Sequence, residues 1–216
     1  MEAPATHKEG GAAPYVGPRF DALVRDPHPP LFLDKHPVTV AQFRRFVKGT
    51  GYETQAERFG NADVMVNGRW RLVDGATWRR PRGPSAPKVK ADHPVTQVSY
   101  GDARSYCQWK DRRLPTEVEW EYAARNAEND RSLCAGGACP SDRTASYNAN
   151  TWQGRFPTRN TVQDGYRYTS PVGTFGETRL GLTDMSGNVW EWTSSWYRPY
   201  SERGTPFQPI KKSEKV

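Results

Sequence analysis

The chain has 216 residues, enough for one large domain with a sizeable core. Its net charge of +7 comes from Lys and Arg scattered along the sequence, which speaks against a nucleic-acid-binding protein. No apolar run reaches the roughly 18 residues of a membrane span, the start MEAPATHKEGGAAPYVG lacks an apolar signal region, and three Cys form an odd set for a disulfide-stapled secreted scaffold.

Residues 1–30 are rich in Pro, Gly and Ala without periodicity and read as a flexible N-terminal arm. Thr39 and Gln42 form a capping box that starts the first helix. Val40, Phe43, Phe46 and Val47 share one face of it, and Gly49 and Gly51 stop it. Arg79, Arg80, Arg82, Lys88 and Lys90 are the densest basic group, in a Pro-rich stretch that reads as a solvated loop. Ser99 caps a second helix over 101–109, whose Ala103, Tyr106 and Cys107 face the core. After Pro115, Thr116 and Glu119 make another capping box, with Trp120, Ala123 and Ala124 on the buried face. From Asn148 onward, short runs alternate with Asn, Gly and Pro, which suits short strands joined by long loops. Residues 201–216 read as a charged C-terminal tail. All eight Trp fall between Trp70 and Trp196, so the packed domain is expected over that stretch and its flanks, 31–200. Helices early and irregular strands late predict an α+β fold with much loop.

The residues that could carry chemistry are few. His28, His36 and His93 each precede Pro and are not spaced as helical metal ligands. No nucleophile-elbow or phosphate-loop pattern occurs. Cys134 and Cys139 sit in the Gly-rich run SLCAGGACP, which could close a local disulfide, hold a soft metal through two thiolates, or do neither. The run LTDMSGNVWEWTSSW, from Leu182 to Trp196, sets oxygen donors at Asp184, Ser186, Asn188 and Glu191 around Gly187. Three indoles, Trp190, Trp192 and Trp196, stand beside them. Such a run can bury aromatic area while turning oxygens inward around a hard cation, and calcium favours oxygen-only sites on irregular loops. It can equally be an Asx-rich turn entering a strand. A second Asx-rich, Trp-bearing run, NANTWQGRFPTRNTVQDGY at 148–166, tips the balance toward the cation.

These segments resemble the formylglycine-generating enzyme (sulfatase-modifying factor) family. The similar pieces are DKHPVTVAQFRRFVKGTGY, ERFG, ATWRRPRGP, DHPVTQVSYGDARSYCQW, RRLPTEVEWEYAAR, ANTWQGRFPTRNTVQDGY and GLTDMSGNVWEWT, in that order over about 31–198. The resemblance implies a loop-rich relative of the C-type lectin fold with two structural calcium sites. One would use the Asn150 side chain, the Thr151 carbonyl, the Asp164 side chain and the Tyr166 carbonyl. The other would use Asp184, the Gly187 and Val189 carbonyls, and Glu191.

The activity it implies is oxidation of a Cys within a sulfatase Cys-x-Pro-x-Arg motif, with oxygen and a copper ion held by two Cys that follow the GNVWEW motif. Here SERGTPFQPIKKSEKV follows that motif without a Cys. The family's N-terminal Phe-x-Met-Gly strand does not occur either, so a domain truncated at both ends is expected. Cys134 and Cys139 precede the motif and are read as a coincidental pair without a catalytic part. The expected protein is therefore a family member inactive or incomplete for oxidation. It could instead be a non-catalytic paralogue that binds sulfatase peptides or another protein chain, or a lectin-like ligand-binding module. A cytoplasmic location, no nucleic acid and no membrane are the remaining expectations.

Overall fold

Four helices and two small hairpins make up the described part of the computed structural model, which covers residues 31–127, 149–178 and 180–197. In chain order these are α1 (Val40–Thr50), α2 (Gln55–Phe59), β1 (Asn61–Val66), β2 (Arg69–Asp74), α3 (Tyr100–Trp109), α4 (Glu117–Ala127), β3 (Gly154–Arg155) and β4 (Arg159–Asn160).

Each helix starts through a side chain that supplies what the first turn lacks. At α1 the Gln42 N–H donates to Thr39 Oγ1 at 3.2 Å, and the Thr39 N–H donates to Gln42 Oε1 at 2.8 Å. The same exchange joins Thr54 to Glu57, Ser99 to Asp102 and Thr116 to Glu119. Gly51 ends α1 with a left-handed φ of 69°. The three helices expected from the sequence are thus present, and α2 is an addition.

The strands differ from the expected order. The longest pair lies early, between α2 and α3, where β1 and β2 run antiparallel with Val66 opposite Arg69. Asn67 and Gly68, at φ 51° and 75°, form the connecting turn. Asn-Gly is the commonest two-residue hairpin turn because both residues accept positive φ. The late segment holds only the two-residue strands β3 and β4.

The core is an aromatic cluster at the crossing of α1 and α3. Val40, Phe43, Phe46, Trp78 and Tyr106 are buried there, with Val38, Val47, Tyr52, Val95, Val98 and Cys107 packed around them. Phe43 meets Trp78 edge-on at 5.4 Å between centroids and stacks on Tyr106 at 5.9 Å. Asp102, fully buried, ties α3 to α2: it accepts the Ser99 N–H at 2.8 Å, the Tyr52 hydroxyl at 3.0 Å and the Gln55 N–H at 3.1 Å.

The basic loop works inside the protein as well as at its surface. Arg79 reaches Glu57 at 3.1 Å, Arg80 donates to the Pro84 and Ala86 carbonyls, and Arg82 lies 3.8 Å from the Tyr168 ring centroid. No helix among the described residues is long and apolar enough to cross a membrane.

Candidate metal centre

The two Asx-rich runs meet at Gly187. A Cβ there would stand 2.3 Å from the Asn150 carbonyl oxygen and 3.3 Å from the Thr151 methyl, so only glycine permits the approach. The Asn188 N–H then donates to that same carbonyl at 2.9 Å. Asp184 and Asn188 hold left-handed φ of 61° and 71°, which Asp and Asn tolerate better than other side chains. Asn188 ties three segments together. Its Oδ1 accepts from the Ser170 N–H at 2.9 Å and from Asn150 Nδ2 at 3.3 Å, while its Nδ2 donates to the Ser170 carbonyl at 3.2 Å and to Asp184 Oδ1 at 3.1 Å.

Of the first expected set, Thr151 and Tyr166 meet the Asp164 carboxylate through their backbone N–H groups, while the Asn150 side chain turns to Tyr168 and Asn188. The carboxylate accepts the Thr151 N–H at 3.0 Å, the Tyr166 N–H at 2.9 Å and the Gln153 amide at 2.8 Å. Gln153 also donates to the Thr151 carbonyl at 2.5 Å, and its own Oε1 accepts the Gln163 N–H at 3.0 Å. Asn150 is only 8% exposed. Its Nδ2 is spent on the Tyr168 carbonyl at 2.6 Å and on Asn188, which leaves Oδ1 without a donor among the described residues. A crevice of about 30 Å³, roughly the space of one water or ion, opens beside Asn150, Asp184, Ser186 and Gly187.

The second set is less closely gathered. Asp184 accepts the Gly173 N–H at 2.7 Å and the Thr183 hydroxyl at 2.9 Å, besides Asn188. The Gly187 carbonyl accepts the Val189 N–H at 2.9 Å. Glu191 stands outside these hydrogen bonds. Its carboxyl is pushed up to about 7, first by desolvation against an opposing pull from the Trp120 indole, then by the charge of Asp184. The Trp120 N–H lies close enough to exert that pull but makes no hydrogen bond. Glu191 also keeps an open face to solvent.

Two features depart from the sequence reading. The indoles do not bury their area among the described residues: Trp190 is 83% exposed and Trp196 75%. Gln153 and Asn188, which organise the loops, were not in the expected ligand sets. Their signal was an amide side chain next to glycine in an Asx-rich run, where one amide can satisfy several loop N–H and C=O groups.

The donors here are carboxylate, amide and carbonyl oxygens, the chemistry of a hard cation. Among the described residues no three His, Cys, Asp or Glu gather in one place, so a cation would depend on carbonyl and amide oxygens. His36 and His93 are apart, with ring nitrogens at the Pro37 carbonyl and the Thr169 hydroxyl. Cys107 is a half-buried single thiol, pushed up by burial and then by Asp34. His28, Cys134 and Cys139 lie outside the described residues.

Two helices, α1 and α3, meet on one aromatic cluster, and the long loops are locked by amide side chains. Comparison with known proteins gives this arrangement a formylglycine-generating-enzyme-like fold. The structure of PvdO from Pseudomonas aeruginosa resembles it with a TM-score of 0.53 and 27% identity, over 82% of this chain and 62% of that one. The family model for the sulfatase-modifying factor enzyme 1-like domain matches residues 19–215, and the chain belongs to that family. It is 38% identical to a formylglycine-generating enzyme of Bos taurus over 88% of this chain and 53% of the relative. It is 42% identical to one of Streptomyces coelicolor over 82% of this chain and 62% of the relative. An inactive C-alpha-formylglycine-generating enzyme 2 of Mus musculus is 39% identical, over 85% and 62%. The chain thus spans between about half and three-fifths of the length of these relatives.

Proposed function

We propose that this chain is a formylglycine-generating-type scaffold, C-type-lectin-like in build, that holds structural calcium in its two interlocked loops. Asn150, Thr151, Asp164 and Tyr166 would serve one site, and Asp184, Gly187, Val189 and Glu191 the other. The observation that carries this is the seam at Gly187 and Asn150, where oxygen donors crowd and, among the described residues, no basic side chain is among their hydrogen-bond partners. Calcium held there would supply positive charge that offsets mutual repulsion of these oxygens. The residues themselves hold the loops in register.

Copper fits the described residues poorly, because two soft thiolates are needed and Cys107 is alone and hard to ionise. We assign Cys134 and Cys139 no catalytic part. The polypeptide would then bind a Cys-x-Pro-x-Arg sulfatase peptide, or another protein chain, without oxidising it. Relatives named as enzymes and relatives named inactive match at similar identity, so the donor set carries this reading.

Incubating the 216-residue polypeptide with copper, oxygen and a Cys-x-Pro-x-Arg peptide tests it. Saturable binding without aldehyde is the expected result. Aldehyde formation overturns the non-catalytic reading, and if Cys134→Ser with Cys139→Ser abolishes it, that loop is the active site. Absence of both binding and aldehyde turns the reading toward a lectin-like module. A purified protein with no calcium by elemental analysis, before and after incubation with the ion, overturns the metal assignment.

A further inference from the structure

A cavity of about 210 Å³ opens where α1 and α3 meet the chain near Asp34, and it shares no lining residue with the two loops. Its charge is unbalanced. Arg45, Lys110 and Arg112 line it against a single carboxylate, Asp34, which is already paired with Arg112. Arg45 has no ion-pair partner among the described residues, and Lys110 has only the Trp109 ring, 5.6 Å from its ammonium.

The neutral groups are donors too. Gln42 spends its Oε1 on Thr39, which leaves its amide nitrogen for the cavity. Tyr106 is 6% exposed, lines the cavity, and its hydroxyl makes no hydrogen bond among the described residues. The ring is buried in the core, and the hydroxyl is not among the buried unpartnered polar atoms of the described residues, so it is accessible from the cavity. Burial, then Asp34, holds its proton above the usual phenol range, so at neutral pH it is a donor. Trp109 closes one side with a flat apolar face.

We propose that this cavity binds a small oxyanion that carries a flat apolar group, of the class of aryl phosphates and aryl carboxylates. Arg45, Lys110 and the Tyr106 hydroxyl receive the oxyanion, and the Trp109 ring receives the flat group. The cavity is below the size of drug-like pockets, which limits the ligand to a single ring or its equivalent.

Calorimetric titration of the full chain with phenyl phosphate, benzoate and inorganic phosphate tests this. Phenyl phosphate should bind saturably and more tightly than inorganic phosphate, and benzoate should compete with it. Arg45→Gln should weaken phenyl phosphate about tenfold by removing a charge-assisted donor, and Tyr106→Phe about fivefold by removing a neutral one. Arg104→Gln, on α3 but not lining the cavity, should change nothing. Tyr106 is a core residue, so Tyr106→Phe could loosen the fold; Arg45 is exposed, and its variant keeps the test decisive. Failure of phenyl phosphate to saturate, or Arg45→Gln binding it like the wild type, overturns the site. Equal affinity for phenyl phosphate and inorganic phosphate overturns the role given to Trp109.

Discussion

The helical core and the loop pair are stabilised in opposite ways. At the crossing of α1 and α3 the buried groups are Phe43, Phe46 and Trp78, and the energy is that of apolar area removed from water. Among the described residues of the loops, Asn150, Gln153, Ser170 and Thr183 are buried along with only two apolar side chains, Ala149 and Leu182, while Trp190 and Trp196 face outward. A loop without ladder hydrogen bonds must satisfy its backbone through side chains, so amides and hydroxyls move inside and the Asp164 and Asp184 carboxylates are half-buried. Such a region depends on exact partners, because one lost acceptor leaves several buried donors unpaired. The core depends on volume instead.

The sharpest way to break this contrast is Phe43→Ala, which should destabilise by about 3–5 kcal/mol and do so equally with and without calcium. Denaturant unfolding under both conditions checks it. A loss that depended on calcium would mean that the core substitution changes calcium affinity, so that the two regions are energetically coupled.

Removing calcium comes next. Calcium at about 100 times its dissociation constant should add about 2.7 kcal/mol per site, lost on chelation. A thermal melt unchanged by chelator would show the loops stand on hydrogen bonds alone. Gly187→Ala is smaller in stability, about 1–3 kcal/mol from overpacking against the Asn150 carbonyl, but it should abolish the calcium response. Melts of the variant with and without the ion measure both effects.

The least effect is electrostatic and belongs to the helices. Glu119 is held down to about 2, first by hydrogen bonds from Arg113 and despite partial desolvation, with help from Thr116. The unfolded chain returns it to its ordinary value near 4.5. Below that value the unfolded state takes up the proton more readily, so the stabilisation is complete above about 4.5 and is lost as pH falls toward about 2. Arg113 is largely exposed, so the whole effect should be about 1 kcal/mol. Glu119→Gln should flatten the stability profile over that window and leave the profile above it unchanged.

The sequence alone determined the starts of α1, α3 and α4, because a capping box closes within three residues and needs no distant partner. The β1–β2 hairpin is equally local, since Asn67-Gly68 stands between short runs, with Arg69 and Arg71 alternating with Trp70 and Leu72 in the second. The family was also legible, and so was the concentration of oxygen-bearing side chains in two runs of the chain. What only the tertiary structure decided is which of them meet. Asn150 and Asn188 are 38 residues apart in the chain, and Gly187 is required solely because the Asn150 carbonyl lies against it. Tyr106 likewise reads as a plain core aromatic, and its unpartnered hydroxyl emerges only when α1 and α3 pack beside Asp34. Contacts that close over such separations are set by packing of the whole chain, and no short window of sequence contains them.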